Sequence, residues 1–122
     1  MRLPEFLLVD PGSPAWRSPL GRALEHAPEG IRDVSALVGA DEEAALGPAA
    51  GLGGIELEGP SVETLLRRLT DLRHDALPAV GAVAHVRALV APAGAGRYRI
   101  WFPQEYSDYL AEVVLDAAEG VA

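Results

Sequence analysis

Residues 55–73 read IELEGPSVETLLRRLTDLR, and the change of rhythm inside them sets the fold class. Ile55, Glu56, Leu57 and Glu58 alternate apolar and acidic. Successive strand side chains point to opposite faces, so this is a half-buried strand with Ile55 and Leu57 inward and Glu56 and Glu58 outward. After Gly59 and Pro60 the period becomes 3.6. Val62, Leu65, Leu66, Leu69 and Leu72 then share one face of a helix predicted over 61–73. Ser61 stands at the capping position, Glu63 near the positive end, and Arg67, Arg68 and Arg73 near the negative end.

Downstream, VGAVAHVRALVA (80–91) alternates over its whole length, which predicts one long strand. Val80, Ala82, Ala84, Val86, Ala88 and Val90 would line one side, with Val83, His85, Arg87 and Leu89 on the other. APAGAG (91–96) reads as a turn, and RYRIWF (97–102) as the antiparallel partner returning from it. Pro103 suits the first position of a helix over 103–118. Its apolar face is Tyr106, Tyr109, Leu110, Val113, Val114 and Ala117.

Upstream the signals are weaker. GPAAGLGG (47–54) reads as a flexible loop, DEEAAL (41–46) as one or two helical turns, and IRDVSALV (31–38) as a strand. LGRALEHA (20–27) allows a short helix with Leu20, Ala23, Leu24 and Ala27 on one side. Residues 1–30 form a Pro-rich arm, in which Phe6–Val9 is a candidate short strand. The expected fold is α+β: a mostly antiparallel sheet with two main helices on one face. It forms a single domain over 31–122 with a flexible insertion at 39–53.

The 122 residues are 49% apolar, enough for one core. The net charge is −8, and all ten basic residues are Arg. Nucleic-acid phosphates and anionic membranes call for clustered basic residues, so neither is an expected partner. The absence of Cys excludes disulfides, thiol catalysis and Cys-ligated metals. No apolar run approaches the roughly 20 residues of a membrane span, and the N-terminal run is broken by Pro4 and Asp10. A cytoplasmic protein is expected. The glycine-rich 47–54 lacks the strand–GxGxxG–helix setting of a dinucleotide loop.

Four residues are candidate ligand contacts. His85 and Arg87, two apart on one strand, would share a face and could hold a carboxylate. Asp33 and Ser35 could orient a ligand, although their spacing suits a local turn equally well. Trp101, flanked on its own face by Arg97 and Arg99, is the candidate partner contact, because a Trp between cations on an exposed strand is a typical interface anchor. The other four aromatics of 97–110 read as core. Glu105, Asp108, Glu112, Asp116 and Glu119 form an acidic stripe that reads as a solvated helix face. His26 and His74 stand near helix ends, and three scattered His predict no metal site. No residue is nominated as catalytic.

GIRDVSAL (30–37) followed by GGIELEGPSVETLLRRLTDL (53–72) resembles the glycine-cleavage T-protein (aminomethyltransferase, folate-binding fold) superfamily. There a D-x-S segment precedes a strand of the form h-x-V-x-G-P-D-A that runs into a helix. Asp33 and Ser35 match the first part, Ile55–Ser61 the strand and helix entry, and Leu65, Leu66 and Leu69 the helix. The resemblance covers roughly 30–118. The family's G-G-h-h-D-D turn, which supplies a catalytic aspartate, stands here as APAGAG without an acid. The chain is similar instead to the short gamma subunit of heterotetrameric sarcosine oxidase, and Arg17–Leu20 (RSPL) fits the opening of such subunits. The resemblance implies one subdomain of the aminomethyltransferase fold, acting without catalysis beside larger flavoprotein oxidase subunits. Flavin or tetrahydrofolate would be present only in a complex. The alternatives are a stand-alone folate- or small-molecule-binding module and a self-associating structural protein.

Overall fold

A computed structural model of the chain describes residue 18 and residues 20–47 and 51–121. The candidate strand at 6–9 and most of the proline-rich arm lie outside the described residues. The fold is α+β. Its strands are β1 (Ile31–Asp33), β2 (Leu52–Glu58), β3 (Ala79–Val83), β4 (Val86–Gly94) and β5 (Arg97–Pro103). They form one sheet in the order β1-β2-β5-β4-β3, antiparallel at every pairing. The helices are α1 (Ala40–Leu46), α2 (Val62–Leu69) and α3 (Ser107–Glu119).

The core lies between one face of the sheet and the pair α2/α3. Ile55 and Leu57 of β2 share it with Ile100 and Phe102 of β5 and with Val86, Ala88 and Val90 of β4. Val62, Leu65, Leu66 and Leu69 close over them from α2, and Leu110, Ala111 and Val114 from α3. The pattern of residues 55–73 is thus realised: alternate residues of β2 point inward, and the apolar stripe of α2 covers them. Leu20 and Leu24 complete this core from a run of tight turns at 20–26, where a helix was expected.

The elements differ from the sequence reading at several points, each for a local reason. The strand at 31–38 stops at Asp33, because the Asp33 carboxylate accepts the Ser35 N–H (2.9 Å) and turns the chain into a short 3-10 helix, Ser35–Leu37. α2 ends at Leu69, four residues early: Thr70 is extended (φ −151°), bridges Val83 and donates its hydroxyl to the Ala82 carbonyl (2.7 Å). Ser61 stands at the α2 N-cap without a side-chain capping bond. Pro103 ends β5, and a 3-10 turn (Gln104–Tyr106) precedes α3. β4 runs on to Gly94, so the predicted turn at 91–96 narrows to Ala95–Gly96, with a bulge between Pro92 and Gly94. The segment read as a flexible insertion carries α1 and the first residues of β2.

The long strand expected at 80–91 is two strands. Val83 pairs with Val86, leaving Ala84–His85 as a two-residue hairpin turn in which both residues have positive φ (49° and 72°). That is the type I′ signature, normally filled by Asn-Gly. The turn reverses the facing pattern, so the core side is Val83 before it and Val86, Ala88 and Val90 after it.

Candidate functional site

The far face of the sheet holds most of the side chains singled out in the sequence, and it uses them for structure. β2 lies between β1 and β5, so Glu56 has Arg32 as its neighbour on one side and Arg99 on the other. Its carboxylate takes both: Arg32 binds Oε2, and Arg99 Nε donates to Oε1 at 2.9 Å. Glu56 was expected to face solvent, yet it is 2% exposed. A buried carboxylate is tolerable when paired and hydrogen-bonded, and here two guanidinium groups supply both. Glu58, two residues on, stays exposed and meets Arg32 and Arg97 only at 3.6 Å.

Trp101 was expected on an exposed strand face and is instead 2% exposed. It pairs across the sheet with Gly54, and a Cβ built there would come within 2.5 Å of the indole. Phe102 likewise lies against Gly53. The two glycines leave space for the rings, so the glycine-rich stretch is part of a strand built for close approach. Arg97 and Arg99 turn to Glu58 and Glu56, so Trp101 does not stand exposed between two free cations.

The candidate ligand contacts also separate. Asp33 accepts the Ser18 hydroxyl and the Ser35 N–H, and the Ser35 hydroxyl accepts the Gly54 N–H at 2.9 Å. This knot ties the segment leading to Leu20, β1 and β2 together. Arg87 points to the far face and reaches the Ala45 and Leu46 carbonyls at the end of α1 (3.4 and 3.5 Å), where a cation suits the helix terminus. His85 sits at the hairpin tip, so it does not share a strand face with Arg87.

Two features stand at the surface instead. Tyr106 and Tyr109 are expected in the core, but the buried face of α3 is centred away from them. The buried stripe of α3 is Ser107, Leu110, Ala111 and Val114, and the two tyrosines are 42% and 43% exposed. Tyr109 donates its hydroxyl to the Ala84 carbonyl at 2.8 Å. Ala84 N–H donates to the Leu69 carbonyl at 2.8 Å, so the strained turn is pinned by both α2 and α3. Beside the turn lies a cleft of about 240 Å³, lined by Arg67, Arg68, Leu69, Thr70, Asp71, Ala82, Ala84 and His85.

Around the corner of α2, a second cleft contains His74, which packs edge-on against Tyr98 with ring centres 5.7 Å apart. Burial, reinforced by the Glu63 carboxylate, lifts the Tyr98 phenol above its usual value. All five residues of the expected acidic stripe are exposed, Glu105 in the 3-10 turn and the other four on α3. Among the described residues no group of His, Asp and Glu is placed to hold a metal, and no helix is long and apolar enough to cross a membrane. No model of a known protein family matches the chain, and no curated protein is similar to it.

Proposed function

We propose that the chain is a non-catalytic subunit, of the gamma kind, that docks and steadies the larger subunits of a heteromeric flavin-dependent sarcosine (amine) oxidase. The resemblance over 30–118 supports this reading. The observation that carries it is the pair Tyr106 and Tyr109, two exposed rings three residues apart at the start of α3, one of them fixed by its hydroxyl to the Ala84 carbonyl. Rigid tyrosines supply large contact area at small entropic cost and recur as interface anchors.

The polar side chains that a site on the sheet would need are engaged in holding the fold. Asp33, Ser35, Glu56, Arg87 and Arg99 each have a structural partner. Neither flavin nor a pteridine fits the 97–102 strand, because Trp101 and Phe102 are packed against Gly54 and Gly53 and present no free ring face. On this reading the flavin, and any tetrahydrofolate, belongs to the larger subunits.

Affinity purification of the tagged chain from its own cells tests the proposal. A flavin-bearing oxidase subunit should co-elute, and Tyr106→Ala should release it. Elution as a symmetric homo-oligomer without flavin would replace the reading with self-association. Saturable binding of a folate by the chain alone would replace it with a stand-alone binding module.

A further inference from the structure

The geometry points to a small-anion site, for a carboxylate or a phosphate, in the cleft between the last turn of α2 and the Ala84–His85 tip. It is independent of the docking role, because it needs only this chain.

Charge is the first support. The chain carries −8, and most guanidinium groups among the described residues are engaged. Arg32 and Arg99 hold Glu56, Arg97 faces Glu58, Arg73 holds Asp75, and Arg87 holds the end of α1. Arg68 also lines the cleft, with its guanidinium close to Gly120 past the end of α3. Arg67 lines the cleft without an ion pair or side-chain hydrogen bond among the described residues, and so does His85. Against the single Asp71 carboxylate, the Arg67 and Arg68 guanidinium groups leave the concavity net positive, and the His85 imidazole is a further donor beside them.

Rigidity is the second support. Positive φ at two consecutive non-glycine residues is strained, and such strain persists only where the surroundings over-determine it. Here the Leu69 carbonyl and the Tyr109 hydroxyl pin Ala84 from both helices. His85 is therefore held beside the last turn of α2, the turn that carries Arg67 and ends at Leu69. Asp71 lines the same cleft. Its carboxylate can accept from the P–OH of a protonated phosphate, a donor that acetate lacks, so the two probes separate the ligand classes.

The test is a titration of the isotope-labelled chain with sodium phosphate and, separately, sodium acetate, read by amide NMR at ionic strength held constant with sodium chloride. Saturable shifts at Asp71, Ala84 and His85 are expected. Saturation by either anion supports the site and names its ligand class. Arg67→Ala should weaken binding by about tenfold or more, as loss of a charge-assisted bond implies, and His85→Ala should weaken it severalfold. Arg22→Ala, outside the cleft, should leave it unchanged. Arg67 and His85 are exposed, so the variants should keep the wild-type amide spectrum elsewhere. Shifts no larger than those from chloride, or shifts that persist in Arg67→Ala, would overturn the inference.

Discussion

Trp101 lies over Gly54, its partner across the β2–β5 pairing, so closely that a single methyl group on Gly54 would strike the indole at 2.5 Å. The pair closes the far face of the sheet. It follows that Trp101 acts through stability. Trp101→Ala should lower unfolding free energy by about 3–5 kcal/mol, and Gly54→Ala by about 1–3 kcal/mol through overpacking. Urea denaturation measures both, and an unchanged midpoint for Trp101→Ala would contradict the packing described.

Glu56 and Glu58 look alike in the sequence and should behave differently. Removing the Glu56 carboxylate takes a charged partner from Arg32 and Arg99, both of which still reach water, so Glu56→Ala should destabilise by about 1–3 kcal/mol. Glu58→Ala, at an exposed and loosely paired position, should stay within about 0.5 kcal/mol. Parallel chemical denaturation of the two variants checks the contrast.

The hairpin tip should yield stability when given ordinary turn chemistry. Replacing Ala84–His85 by Asn-Gly fits the positive φ of both positions and should raise stability by about 1–2 kcal/mol. The same variant should lose anion binding through His85. Tyr109→Phe removes the bond to the Ala84 carbonyl and should cost about 1 kcal/mol. Thermal unfolding distinguishes these outcomes.

Tyr98 gives the chain a pH dependence at the alkaline end. Its phenol is raised above 10.0, chiefly by burial and further by Glu63. The folded state therefore holds this proton longer than the unfolded state does. The contribution is fully present below the unfolded value and is lost as pH rises through the folded one. Tyr98→Phe should flatten that part of the stability–pH curve, as denaturation at a series of alkaline pH values would show.

These contrasts mark what was legible in the sequence. Ile55–Glu58, Val62–Leu69 and the strand from Arg97 were readable because one period runs through each without interruption. The hairpin between β3 and β4 was not, because Ala84 and His85 carry none of the usual turn residues and the alternation continues across them. The strand character of Gly53 and Gly54 depends on two aromatic rings from a distant segment, a tertiary fact with no local signal. Burial of Glu56 likewise follows from strand order, since only the pairing places Arg32 and Arg99 on its two sides. Tyr106 and Tyr109 were misplaced because the small residues Ser107 and Ala111, and not the rings, share the buried stripe with Leu110 and Val114.

The most direct measurement is size-exclusion chromatography of the tagged chain purified from its own cells, following flavin absorbance across the elution. Flavin is predicted to co-elute with the wild-type chain and to separate from a Tyr106→Ala, Tyr109→Ala variant that remains folded. A wild-type chain that elutes free of flavin would contradict the docking role.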